Sequence, residues 1–223
     1  MPPFHLALEI DGDGSHPAAW RRAAHAPVAL LTAARVRSVA TVAENAGFTL
    51  VTIGDDLLPP GGGPDPVGRI GAVERAAFVA AATTVLSVAP VVATTYAEPF
   101  HLASQLASLD HIAAGRSGWV VASSPAPAAA RAWGRPRVSG DAALAAEARD
   151  TVRVTRDLWD SWEDNAVVRD VATSRYLDRD CLHYVDFSGD TFAVKGPAIV
   201  PRPPQGQVVV LAPDGWCLPR TSM

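Results

Sequence analysis

Three apolar runs in this 223-residue chain end in side chains able to hydrogen-bond a polar ring. Leu50–Ile53 passes through Gly54 into Asp55 and Asp56; the run from Val85 ends in Thr94 and Thr95, with Tyr96 next; the run from Trp119 ends in Ser123 and Ser124. If each run is a strand of one parallel sheet, these carboxylates and hydroxyls gather on a single rim, where parallel α/β folds place their chemistry. There they are able to hold the polar edge of a cofactor. The competing reading is that Asp and Thr cap the helices that follow, and position alone does not choose between the two.

Other chemistries lack their signatures. There is no phosphate-binding P-loop and no H-E-x-x-H, and Gly61–Gly63 sits among prolines instead of following a strand. In Gly115-Arg116-Ser117-Gly118 the serine precedes a strand, so the segment reads as a helix-to-strand turn and not a nucleophile elbow. His5 has no partner spacing, and His101 and His111 lie too far apart on one helix to share a metal; no metal site is expected. Cys181 and Cys217 read as unpaired thiols, too few for a disulfide framework. A net charge of −4 gives no basic footprint for nucleic acid. No apolar run approaches the roughly 20 residues of a membrane-spanning helix. The first residues lack a signal-peptide layout, so a cytoplasmic protein is expected.

Elements that position the rim residues follow from hydrophobic periodicity. Leu6–Ile10 reads as a buried strand, Val28–Ala46 as a helix with Leu31, Ala34, Val39, Val42 and Ala46 on one face, and Leu50–Ile53 as the second strand. Pro59–Pro66 must be a loop, Ala72–Thr84 a helix and Val85–Thr95 a third, doubly buried strand. Glu98-Pro99 opens a helix lined by Leu102, Leu106 and Leu109, and Trp119–Ser124 is the fourth strand. Ala142–Trp162 is a long helix, Glu163–Cys181 irregular, and Ser188-Gly189-Asp190 the turn of a hairpin. After a proline-rich connector, Val208–Ala212 is the fifth central strand. Strand and helix alternate, which implies a parallel sheet with outer helices; periodicity leaves open whether it closes.

Two blocks resemble a known family. The first contains TTYAEPFH (Thr94–His101), ASLDH (Ala107–His111) and GRSGW (Gly115–Trp119). The second runs from LWDSWED (Leu158–Asp164) through HYVDFSGDTFAVKGP (His183–Pro197) to PRPPQG (Pro201–Gly206). With AENAGFTLVTIGDD (Ala43–Asp56), they cover nearly the whole chain to about Pro213. They resemble the bacterial luciferase-like, flavin-dependent monooxygenases, in the branch of nitrilotriacetate, alkanesulfonate and dibenzothiophene-sulfone monooxygenases. The resemblance implies a partial TIM (β/α)8 barrel: about five parallel strands, outer helices and a β-hairpin insertion after strand four. It implies reduced FMN delivered by a separate NAD(P)H flavin reductase, and O2 used to oxygenate a small organic substrate. Asp55 and Thr94 match flavin-contact positions, and Ser123 joins them as a cofactor-binding candidate; no catalytic residue is assigned.

Departures from the pattern are specific. Val120 stands where the branch carries asparagine, and a histidine and a tyrosine expected against the flavin fall on or beside Gly140 and Leu144. Residues 214–223 do not resemble the branch, so residues 1–213 are expected to form an incomplete, C-terminally truncated barrel domain followed by an unrelated tail. Five strands with open edges imply a homo- or hetero-oligomer and weak FMN binding. The alternative functional readings are a catalytically degenerate partner subunit and a non-functional truncated product. Among substrates, a sulfonate, an aminopolycarboxylate and an aromatic sulfone all stay open. Tyr184 and Phe192 either face substrate from the insertion or pack within the hairpin.

Overall fold

The computed structural model describes residues 4–10, 12–14, 16, 19–58, 68–214 and 216. The expected loop at Pro59–Pro66, Cys217 and most of the 214–223 tail lie outside them.

Five strands form one parallel sheet: β1 (Ala7–Glu9), β2 (Leu50–Ile53), β3 (Ser87–Ala93), β4 (Gly118–Ala122) and β9 (Val209–Leu211), adjacent in that order. Neighbours in space are thus neighbours in sequence apart from the insertion between β4 and β9. Right-handed crossovers that always step the same way leave every helix on one face. That arrangement curls toward a barrel, whereas a reversal of strand order would have covered both faces.

The helices are α1 (Ala33–Asn45), α2 (Ala72–Ala82), α3 (Pro99–Ala113), α4 (Pro127–Ala132) and α5 (Asp141–Asp160). Alternation along each strand sends one set of side chains to this layer. Val51 and Ile53 of β2 and Val88 of β3 pack with Ala40 and Ala43 of α1 and Ala76 and Val79 of α2. Trp119 and Val121 of β4 pack with Leu102 and Leu106 of α3 and with Ala148, Val152 and Trp159 of α5. The alanines of α1 and α2 are small enough to bring helix and sheet close together.

Between α5 and β9 come two hairpins, β5–β6 (Val167–Asp170, Arg175–Leu177) and β7–β8 (Val185–Ser188, Ala193–Gly196). The second is the expected one. The first corrects the reading of Glu163–Cys181 as irregular: its strands are mostly exposed and joined through a register shift, so no alternation marks them. Phe187 and Phe192 pack ring to ring at 5.5 Å across β7–β8, whereas Tyr184 is 79% exposed.

Other elements shift from expectation. β1 is an edge strand with Ala7 and Glu9 exposed, not a buried one. The expected first helix begins as a 3-10 turn at Pro27–Leu31, and Thr32 then caps α1 by accepting from the Arg35 N–H. The buried face of α1 is Ala40 and Ala43; Ala34, Val42 and Ala46 are exposed. Val85 is 69% exposed and precedes β3, because three successive N–H groups, of Thr84, Val85 and Leu86, are held by the Glu44 carboxylate at 2.7–3.1 Å. Those hydrogen bonds, led by that from Val85, pull the Glu44 carboxyl below its ordinary pKa. Helix α4 was not expected.

The N-terminal ends of the strands are tied by a polar clamp. Asp110, fully buried near the end of α3, accepts from the Ser117 hydroxyl (2.8 Å), the Gln205 amide side chain (2.6 Å) and the Gln205 backbone N–H (3.1 Å). The Arg116 guanidinium donates to the carbonyls of Leu86 and Ala80. Helix α5 is anchored likewise: Trp159 donates to the Ala103 carbonyl at 3.1 Å and Trp162 to the Ala198 carbonyl at 2.7 Å.

Candidate cofactor rim at the strand C-terminal ends

A parallel sheet brings Asp55, Thr94 and Ser123 to the mouths of three adjacent strands, β2, β3 and β4. Thr94 and Ser123 are neighbours: the register pairs Ala93 with Ala122, and the Thr94 N–H donates to the Ala122 carbonyl at 2.9 Å.

Their hydrogen bonds differ. Asp55 is exposed, yet both its oxygens are engaged: Oδ2 accepts from the Ala72 N–H at 2.6 Å and Oδ1 from the Asp56 N–H at 2.9 Å. Helix α2 starts after Gly71, which has no side chain to cap it, so a carboxylate from the end of β2 does so. The capping alternative raised by the sequence is therefore realised for Asp55. Alanine at position 55 is expected to lower stability by about 1 kcal/mol in urea denaturation, with asparagine recovering most of it. No loss in the alanine variant would remove the capping role.

Thr94 is buried and its hydroxyl donates to the Ala122 carbonyl at 3.2 Å, tying β3 to β4. Beside it the Thr95 hydroxyl accepts from the Ser124 N–H at 3.2 Å. Ser123 is half-buried, and its hydroxyl has no protein partner among the described residues. It is the candidate whose hydrogen-bonding capacity is unspent.

The sequence places Tyr96 among the polar groups of the rim; the structure instead engages it within the protein. Its backbone takes the left-handed conformation at φ +65°, sparsely populated for a bulky residue and frequent at ligand-binding sites. Its ring is buried against Ala129 and Ala130 of α4 and against Leu57 and Leu58. Its hydroxyl accepts from the Val138 N–H at 3.2 Å. Helix α4 thus plugs the outer side of the β2–β3 mouths. The Pro127 and alanine run that starts it was a readable helix signal.

Side chains on the sheet's other face are small or aliphatic: Thr52, Val91, Ala93, Val120 and Ala122 are all half-buried. Gly140, where a histidine was expected, has φ +89°, a backbone that a side chain strains to adopt, and Leu144 is buried in α5.

Several titratable groups near the insertion are perturbed, Glu147 and Cys181 among them. Burial pushes the Glu147 carboxyl up, against the opposing pull of Arg135 and a hydrogen bond with Thr191. Desolvation and the surrounding carboxylates, Glu163 foremost, raise the Cys181 thiol, so the thiolate a nucleophile needs is disfavoured. Among the described residues no helix is long and apolar enough to cross a membrane.

Known proteins share this arrangement. N-acetyl-S-(2-succino)cysteine monooxygenase of Bacillus subtilis (strain 168) is 30% identical over 207 residues, covering 92% of this chain and 47% of that protein. Nitrilotriacetate monooxygenase component A of Aminobacter aminovorans is 42% identical over 118 residues, covering 53% of this chain and 26% of that protein. The crystal structure of riboflavin lyase (RcaE) with modified FMN and substrate riboflavin superposes with a TM-score of 0.80 at 28% identity, covering 93% of this chain and 49% of that one. The chain therefore spans half or less of the length of these proteins, and the sheet is part of a TIM barrel, the fold of its structural neighbours. The family model for luciferase-like monooxygenases matches residues 12–219, and the chain belongs to that family.

Proposed function

We propose that this chain supplies the ring-binding part of a flavin-dependent monooxygenase, with residues 1–213 as one barrel unit. Its cofactor is reduced FMN delivered by a separate NAD(P)H flavin reductase. O2 and a small organic molecule are the substrates, and the cytoplasm is the compartment. The observation that carries the reading is the half-buried Ser123 hydroxyl, unpartnered among the described residues, at the mouth of a parallel sheet whose open face is lined by small side chains.

Bound flavin supplies the oxygen chemistry; the chain's residues bind, orient and exclude water. Ser123 meets the polar edge of the ring, and Thr94 retains acceptor capacity after donating to Ala122. Asp55 acts one step back, holding α2 and hence the rim in place. Tyr96 and α4 shut the outer side of the mouth. Among substrate classes, the sulfur-bearing and aminopolycarboxylate substrates in the relatives' names support a polar, heteroatom-bearing organic molecule.

The test is an oxygenase assay with added flavin reductase, run on this chain and on the chain joined to the C-terminal portion of the Bacillus subtilis relative. Reductase-dependent oxygenation of sulfonate, aminopolycarboxylate or aromatic sulfone is expected from the joined protein, falling at least about tenfold in Ser123→Ala. A joined protein that folds and binds FMN but oxygenates none of these classes overturns the reading.

A further inference from the structure

The segment between α4 and α5 joins the insertion to the rim. Near its start, Arg135 donates to the Thr191 carbonyl at 3.4 Å, in the turn of hairpin β7–β8. Three residues on, the Val138 N–H donates to the Tyr96 hydroxyl at 3.2 Å. Pro136 lies between them; it fixes its own φ and disfavours a helical Arg135, so this short span is stiff. From the residue before Tyr96, the Thr95 hydroxyl reaches the Ser124 N–H, next to Ser123. Glu147 of α5 sits where this strap meets the hairpin: its carboxyl accepts a hydrogen bond from the Thr191 side chain and faces Arg135. The side chain is buried, and Oε2 has no partner among the described residues. Asp150, one turn further along α5, approaches the same tip, its Oδ2 lying 3.0 Å from where a Cβ on Gly189 would stand.

We propose that Glu147 and Arg135 are positioning residues for the rim: they clasp the hairpin tip, and the strap between α4 and α5 passes that hold on to Tyr96 and the outer side of the mouth. That the rim receives flavin rests on the proposed function, whereas the clasp itself needs no ligand. Its strength depends on the protonation of Glu147. A buried oxygen without a partner costs most when it is charged. Burial accordingly pushes the Glu147 carboxyl above its ordinary value, and Arg135 and Thr191 oppose the shift without cancelling it. The clasp is therefore complete below the ordinary carboxylate range and loosens as pH climbs through the raised one, where the ionised side chain favours water over its buried seat. The charged groups around it are Arg135 on the strap, Asp190 beside Thr191 on the tip and Asp150 on α5. Of these, Arg135 is the cation that faces the carboxyl.

The experiment is amide hydrogen exchange on the flavin-free chain, each rate divided by its unstructured value so that the intrinsic pH dependence drops out. Between about pH 5 and about pH 8, protection of the Val138 N–H, the group held by Tyr96, should fall at least about threefold, while α3 stays unchanged. Glu147→Gln keeps an acceptor for Thr191 and cannot ionise, so it should hold the low-pH protection at both values. Arg135→Gln, a change in a loop, should show the weaker, high-pH protection at both. An unaltered chain whose Val138 protection is the same across this range overturns the proposal. So does an equal pH dependence in Glu147→Gln, or an Arg135→Gln variant that leaves Val138 fully protected at low pH. Flavin plays no part in any of these outcomes, so they are distinct from the result of the oxygenase assay.

Discussion

Asp110→Ala is expected to destabilise the fold by at least about 3 kcal/mol, read as a lowered urea midpoint with an unchanged slope. The carboxylate is fully buried and receives hydrogen bonds from the Ser117 hydroxyl, the Gln205 side chain and the Gln205 backbone. Hydrogen bonds to a charged acceptor are worth about 1.5–3 kcal/mol each, and truncation leaves the donors buried without a replacement. Gln205 retains one other bond, to the Ser117 carbonyl at 2.8 Å, so the connector before β9 loosens without detaching. Asparagine keeps one acceptor oxygen but turns an NH2 toward existing donors, so Asp110→Asn should recover only part of the loss. A change below about 1 kcal/mol in the alanine variant would mean that the clamp does not hold the strands together.

That clamp explains why the family was legible in the sequence while the site was not. ASLDH, GRSGW and PRPPQG are the specific motifs, and they meet at the N-terminal ends of the strands through Asp110, Arg116, Ser117 and Gln205. In a (β/α) barrel that end serves stability and the opposite end serves chemistry. Motif specificity thus reports the scaffold. No periodicity links Asp110 to Gln205, 95 residues away, and only the fold reveals their contact.

Elements were readable where one face is buried and the sequence alternates with the matching period. The inner residues expected for α5, from Leu144 to Trp159, are all buried, as are the three leucines of α3. Legibility fell where burial is weak. The face of α1 was misplaced because small alanines, not the larger Val42, pack on the sheet. Hairpin β5–β6 was missed because its strands carry no buried side. At the rim, residue type was legible but its use was not. Asp55 looked like a direct ligand, yet its oxygens are committed to backbone N–H groups. The spare capacity at Ser123 emerges only from the absence of a nearby protein partner among the described residues.

FMN is expected to bind the isolated chain with a dissociation constant no tighter than about 100 µM, measured by equilibrium dialysis. Asp55 is engaged as a cap and the Thr94 hydroxyl proton is spent on Ala122, which leaves Ser123 as the unspent hydroxyl among the three candidates. Positions 120, 140 and 144 contribute valine, glycine and leucine where the branch supplies polar side chains. At about 0.5–1.5 kcal/mol for each missing hydrogen bond, three of them weaken binding by roughly ten- to a thousandfold. Arg75, the guanidinium at this rim, donates to the Gly54 carbonyl and is thereby drawn to the backbone. Val120 offers the sharpest probe. It is half-buried on the open face, between Val91 and Leu211 in the register, and two residues short of the Ala122 carbonyl that Thr94 holds. Val120→Asn leaves the helix-facing core untouched, because Trp119 and Val121 form that side. It should tighten FMN binding about fivefold, the worth of one neutral hydrogen bond, with little change in stability. Micromolar, stoichiometric binding by the unaltered chain would show that the rim is a complete flavin site. An unchanged affinity in Val120→Asn would place the ring elsewhere than over β4.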